Sequence, residues 1–364
     1  MAGGAPIKPL ILTMLAAHSA ARTDLSLREF GEAEIHWAIQ SGFGPLCFQV
    51  SRNNPENSLV RSWHAIEAAD LTARLITAEH LEAMRDILDA SSGYVESITL
   101  LKGISIAEER YLKPHLRPMR DIDILVSETA LARMTTILTH LGYEQVCGKM
   151  PEFYADHHHL APFFNKQRGV WLEVHRRLLS AKNRASGNAI FDPGSVAAQI
   201  RSAKFLGRDV GRLSPELELI YSATHWAQDF KITGGMVALM DLLFLLRDEG
   251  LRWRWHALLE RLTGTAAAAV YLLLSYFDRC RLGNVPSDFL EQLFLIQRTF
   301  GKLSLAAAHS MLDRYAMQGK QIGTFLSRRN LSIAWDGLLR PSPSRYKPLL
   351  IPFNICVPCR WRFQ

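Results

Sequence analysis

Asp121 and Asp123 stand two residues apart in the run DIDILV, with Ile122, Ile124 and Val126 interleaved. In an extended chain this alternation puts both carboxylates on one face, about 6–7 Å apart along the backbone, and the branched apolar residues on the other. Two carboxylates held together repel each other and resist desolvation, so a divalent cation is the natural counter-charge for the pair. Mg2+ takes a few carboxylates together with phosphate oxygens, which makes a paired-Asp strand beside a glycine turn a nucleotide-phosphate site. The glycine here is Gly103, directly after the β-branched apolar run Ile98 to Leu101. Lys102, Arg117 and Arg120 lie near in sequence and could neutralise a triphosphate, the lysine as a point charge and the arginines as forks. The same cations would serve equally as surface salt-bridge partners if the strand were an exposed edge.

A third acid, Glu173, sits in VWLEVH (170–175), sharing one strand face with Trp171 and His175 while Val170, Leu172 and Val174 take the other. A lone acid on an apolar strand is costly unless it is paired or coordinated. With the two aspartates it completes a three-acid metal set; without them it reads as a solvated acid on a half-exposed strand. His175, on the same face, is placed to orient or hydrogen-bond that acid.

Positioning these side chains requires a small set of elements. A buried strand over Ile98–Leu101 turns at Gly103 into a helix over Ser105–Tyr111, and Asp121–Val126 forms the next strand. Ser127 is the expected N-cap of a helix carrying Leu131, Met134, Ile137, Leu138 and Leu141, which ends at Gly142. Tyr143–Val146, His158–Pro162 and Val170–His175 are three further strand candidates. On either side the apolar spacing is helical, before Ser92 and again from Pro215 to Thr299. The fold class expected is α+β: a small mixed β-sheet core at 94–180, an N-terminal helical region at 1–93, a C-terminal helical domain at 181–340 and a basic, Pro-rich tail at 341–364.

Composition narrows the classes. The 364 residues carry 42 Lys+Arg against 35 Asp+Glu, a net charge of +7 spread along the chain, which permits anionic partners without demanding nucleic acid. Five scattered cysteines do not make a disulfide framework and suit a reducing compartment. Only Cys356 and Cys359 form a CxxC pair, which lacks the further ligands of a structural zinc. No apolar run reaches the roughly 20 residues of a membrane span, and the opening stretch from Pro9 to Ala17 reads as a first helix, so a cytoplasmic protein is expected. There is no Walker loop, nucleophile elbow, HExxH or Rossmann fingerprint. His225 and Asp229 sit four apart on a helix and Asp241 lies on another, residues suited to a buried polar contact between helices.

The succession LLKG, a helix ending at Tyr111, LRPMRDIDILV, a helix, LGYE, a histidine-containing strand and WLEVHRRL resembles the uncharacterised bacterial nucleotidyltransferase family of the DNA polymerase β-like superfamily. The likeness covers about Ile98 to Leu179 and extends more weakly to His225-Trp226 and Asp241. It implies that Gly103 faces the nucleotide phosphates, that Asp121 and Asp123 bind metal, and that Glu173 completes the site. The chain departs from the superfamily's usual Gly-Ser pair with Gly103-Ile104-Ser105, and 18 residues separate Gly103 from Asp121.

The activity implied is Mg2+- or Mn2+-dependent transfer of a nucleoside monophosphate from an NTP, ATP being the expected one, to a hydroxyl or similar group on a small-molecule, peptide or glycan acceptor. Asp121, Asp123 and Glu173 would be catalytic and metal-holding, with Lys102, Gly103, Ser105, Arg117 and Arg120 on the nucleotide. Phosphotransfer at the same metal site and a non-catalytic nucleotide- or peptide-binding role are the alternatives. The likeness also places a histidine near the site. On that likeness His158 or His159 is expected to line the site, with His175. Strand residues alternate sides, so only His157 and His159 of the His157-His158-His159 run could share a ligand sphere and a third ligand would have to come from elsewhere; a site-lining role is therefore expected over a transition-metal site.

Overall fold

The computed structural model describes residues 10–148, 150–155, 157–181, 185–229, 234–248 and 252–313. The expected tail from residue 341, with Cys356 and Cys359, lies outside them. The chain opens with helices α1 (Leu10–Ser19), α2 (Glu32–Ala38), α3 (Gly44–Ser51) and the 29-residue α4 (Trp63–Ser91). There follow β1 (Thr99–Leu101), α5 (Lys102–Arg110), β2 (Asp121–Leu125), α6 (Leu131–His140), β3 (Tyr143–Gln145), α7 (Pro151–Ala155), β4 (Phe163–Asn165) and β5 (Val170–His175). Beyond them lie α8 (Pro193–Ala197), β6 (Ile200–Phe205), β7 (Arg208–Leu213), α9 (Pro215–Asp229), α10 (Gly234–Arg247), α11 (Trp255–Arg261), α12 (Gly264–Arg279), α13 (Ser287–Ile296) and α14 (Lys302–Met311).

The seven strands form one mixed sheet in the order β3-β4-β5-β2-β1-β7-β6. β2 runs antiparallel to β1 and parallel to β5, with Asp121 opposite Trp171, Asp123 opposite Glu173 and Leu125 opposite His175. Register of this kind sends side chains in alternate rows to opposite faces. One face carries Leu100, Ile122, Ile124, Leu172 and Val174, buried against Met84 and Ile87 of α4 and Met134 and Leu138 of α6. The other face carries the three acids and His175. At its margins Leu101, Leu125 and Leu213 join the larger helical core built around α9, α10 and α12. The acids thus lie between a sheet and a helical body, where water is scarce and charge is costly.

The sheet does not stop at residue 180. β6 and β7 pair antiparallel across the two-residue loop Leu206-Gly207, and β7 pairs parallel with β1. Both loop residues have positive φ, +49° and +81°, as a type I′ turn requires, and glycine bears the second without cost. The strand expected at His158–Pro162 is instead a bend with a single bridge from His159 to His175, and the paired strand begins at Phe163. Ser127 does not cap α6 directly; a 3-10 turn at Glu128–Ala130 intervenes and the Ser127 hydroxyl meets Thr129 Oγ1 at 3.0 Å. No helix among the described residues is long and apolar enough to cross a membrane.

Candidate active site

β1 delivers the chain to Lys102, the first residue of α5, in the left-handed conformation at φ +46°. An L-residue held there costs about 1–3 kcal/mol, so the surrounding structure must fix it. Its side chain is returned over β2, where Nζ donates to Asp123 Oδ1 at 2.7 Å. His175, fully buried at the end of β5, donates from Nε2 to the same oxygen at 2.8 Å and lies 3.5 Å from Glu173 Oε2. His159 Nε2 is 3.8 Å from Glu173 Oε2. The Asp121 carboxylate, one pleat earlier on β2, makes no hydrogen bond or ion pair to any described residue.

Burial opposes the Asp123 carboxylate, but Lys102 and His175 outweigh it and hold its pKa well below the carboxylate range. Burial would likewise depress Lys102, yet Asp123, with Tyr221 and Glu173 behind it, keeps the ammonium charged. The same contest raises His175, where hydrogen bonds to Asp123 and Glu173 overcome burial, and lowers Glu173, where the His175 hydrogen bond does so. Asp121 has no such rescue: burial and the neighbouring Asp123 charge push it up to about 6, with Lys102 opposing. The cluster holds three carboxylates against one lysine and one histidine, a shortage of positive charge that a bound cation relieves. Ligand atoms of Asp123, Glu173 and His175 all lie within 4.8 Å of one another, a donor set that fits a divalent metal.

Other predicted residues are placed differently. Arg117 feels the Asp121 charge but makes its hydrogen bonds elsewhere. Its guanidinium forks onto Asp241 of α10, Nη2 at 2.8 Å from Oδ2, and Tyr111 donates its hydroxyl to Asp241 Oδ1 at 2.8 Å. A Cβ on Gly103 would come within 2.3 Å of Arg117 Nη1, so this glycine makes room for the arginine's passage. Ser105 is buried within α5 at 2 % exposure, and its carbonyl accepts from the buried Arg212 of β7. Arg120 is exposed beside Asp121. Burial lowers the pKa of both His158 and His159, with Glu173 opposing at His159.

Asp241, Tyr111 and Arg212 form a buried frame that sequence reasoning missed as such; the weak likeness at Asp241 was the one available signal. Asp241 makes a buried polar contact, but with Tyr111 and Arg117 in the stretch between α5 and β2 and not with a second helix, while the side chain of Asp229 lies outside the described residues. Against this geometry the comparisons with known proteins are specific. The model of a family described as uncharacterised nucleotidyltransferase matches residues 32–281, which takes in all seven strands and the helices from α2 to α12. The chain belongs to this nucleotidyltransferase family. No curated protein and no solved structure matches it. As a nucleotidyltransferase it is a transferase acting on a nucleotide, a class that generally uses an NTP and a divalent metal, and the acid cluster is the place in the sheet with the donors for one.

Proposed function

We propose that this nucleotidyltransferase moves a nucleoside monophosphate, AMP from ATP, onto a hydroxyl of a small-molecule, peptide or glycan acceptor, with Asp121, Asp123 and Glu173 as the catalytic acids. The observation that carries the reading is the register of β2 and β5, which sets Asp123 opposite Glu173 on one buried face with Lys102 and His175 as their fixed partners. Mg2+ or Mn2+ held by Asp121, Asp123 and Glu173 would supply the charge neutralisation that an in-line displacement at the α-phosphorus needs. Lys102 and His175 keep Asp123 ionised and fixed in direction. Glu173, partly open to solvent, accepts the acceptor hydroxyl's proton as the new P–O bond forms and pyrophosphate leaves. Arg120, exposed just before β2, and Arg117, which also meets Asp241, are the arginines beside the acids that a triphosphate would approach.

The test is label transfer. With Mg2+, cell extract and ATP labelled at either the α- or the γ-phosphate, the α-label should move to an acceptor while the γ-label appears in pyrophosphate. Transfer of the γ-label instead would assign phosphotransfer to the same acids, and transfer of neither label would reject catalysis with that acceptor pool. Cytoplasmic operation belongs to the same proposal and follows from the low cysteine content and from ATP as donor.

A further inference from the structure

Three imidazoles converge beside the acid cluster. The segment after α7 is a bend, so the alternation that would have sent His158 away from its neighbours does not apply. The ring centroids stand 4.2 Å apart for His157 and His158, 4.3 Å for His157 and His159, and 4.7 Å for His158 and His159. One ring nitrogen from each lies within 4.8 Å of those of the other two.

We propose that His157, His158 and His159 form a second metal site, specific for a borderline divalent ion such as Zn2+ and distinct from the acid site on β2 and β5. Imidazole nitrogens suit zinc, copper and nickel, whereas Mg2+ prefers oxygen, so the two neighbouring donor sets sort metals by chemistry. A tetrahedral zinc with bonds of about 2.0–2.1 Å sets its ligands roughly 3.4 Å apart, which side-chain rotation reaches from the observed spacing.

The backbone beneath is already fixed. Arg176 N and Arg177 N donate to His158 O at 2.8 and 3.2 Å, and Leu160 N donates to Val174 O at 2.9 Å. The Arg176 guanidinium donates to Tyr154 O and Ala155 O at the end of α7. His159 Nδ1 donates to Leu160 O, which leaves its Nε2 as the ligating atom. His158 Nδ1 and His175 Nδ1 are buried without a hydrogen-bond partner, a cost that a ligand at this place removes for His158. The His175 ring lies 5.1 Å from His158 and 5.4 Å from His159 while its Nε2 holds Asp123, so zinc would brace the ring that orients the acid.

The site stands whether or not the acids transfer nucleotides. Its test uses the untagged full chain and competition with a chromogenic zinc chelator. One Zn2+ should bind per chain and resist millimolar Mg2+. His158→Gln or His157→Gln should weaken it at least about 100-fold, while Asp121→Asn with Asp123→Asn should leave it within about threefold. X-ray absorption of the zinc-loaded wild type needs no variant and should show an imidazole shell without sulfur. The proposal is overturned by absence of stoichiometric zinc, by binding lost in the aspartate variant but kept in the histidine variants, or by a sulfur shell that vanishes with Cys356→Ser and Cys359→Ser.

Discussion

Two clusters of buried charge flank α5, and they balance cation against anion differently. At its first residue, Lys102 faces Asp121, Asp123 and Glu173 with His175 as its helper. Farther along, four arginines face five carboxylates. Arg110 meets Asp248, Glu109 and Glu218, Arg212 meets Glu108 and the Ser105 carbonyl, Arg201 meets Glu109, and Arg117 meets Asp241. Each guanidinium brings a planar fork that saturates carboxylates in pairs. The first cluster offers one flexible ammonium for three acids. On the proposed reading, it is the larger shortage of fixed cations, not the density of buried charge, that sets the acid cluster apart, because it leaves a place for an exchangeable cation.

The sharpest way to break that contrast is in the acid cluster. Asp123→Asn should leave far-UV circular dichroism unchanged and lower nucleotidyl transfer on the order of 10²–10³-fold, as loss of a preorganised charge at the reacting phosphorus does. A variant that keeps wild-type turnover would move the chemistry elsewhere.

In the arginine cluster the effect should be on stability. Asp241→Asn strands a buried guanidinium and should cost about 3–5 kcal/mol, read as a lower urea midpoint. Arg117→Met with Asp241→Leu, which removes both charges, should recover most of it. If the double variant were as unstable as the single one, packing and not charge would be the cause.

A smaller effect concerns pH. Glu218 is pushed up to about 7, chiefly by burial, with Arg110 opposing. Its native form keeps a proton that the unfolded chain has released above about 4.5, so the unfolded state binds fewer protons and stability falls as pH rises from about 4.5 to 7. The loss is about 3 kcal/mol at most and levels off above pH 7. Glu218→Gln should flatten this slope in urea titrations at pH 5 and pH 8; an unchanged slope would place the titrating group elsewhere.

Much of the site's scaffold could be read from the chain because alternation is a local signal. β2 and β5 declare themselves by aspartates or glutamate between branched apolar residues, and Gly103 by its place after β1. The hairpin was passed over because Ile200-Arg-Ser-Ala-Lys-Phe205 puts Arg201 and Lys204 three apart, on opposite faces, and carries few branched apolars, although the X-Gly loop at Leu206-Gly207 between two six-residue runs was a usable sign. Arg117 was read toward the phosphates for want of a nearer partner in sequence, while its actual partner, Asp241, is brought near only by tertiary packing of α10 on α5. The histidine run was judged by the strand rule, and the bend at His157 and His158 removes that rule's premise. Pairings that span 100 residues or more leave no local pattern to read.

The parallel pairing of β1 with β7 bears on how the protein is made. A ribosome that has released residues 99–180 has delivered all three acids, Lys102 and His175, yet β1 still presents an open edge, because its neighbour ends at Leu213. Until that hairpin emerges, the nascent sheet is exposed to pairing with other chains. Synthesis must run a further 38 residues beyond His175 before the edge closes, and chaperone protection over that interval would keep the open edge from pairing elsewhere.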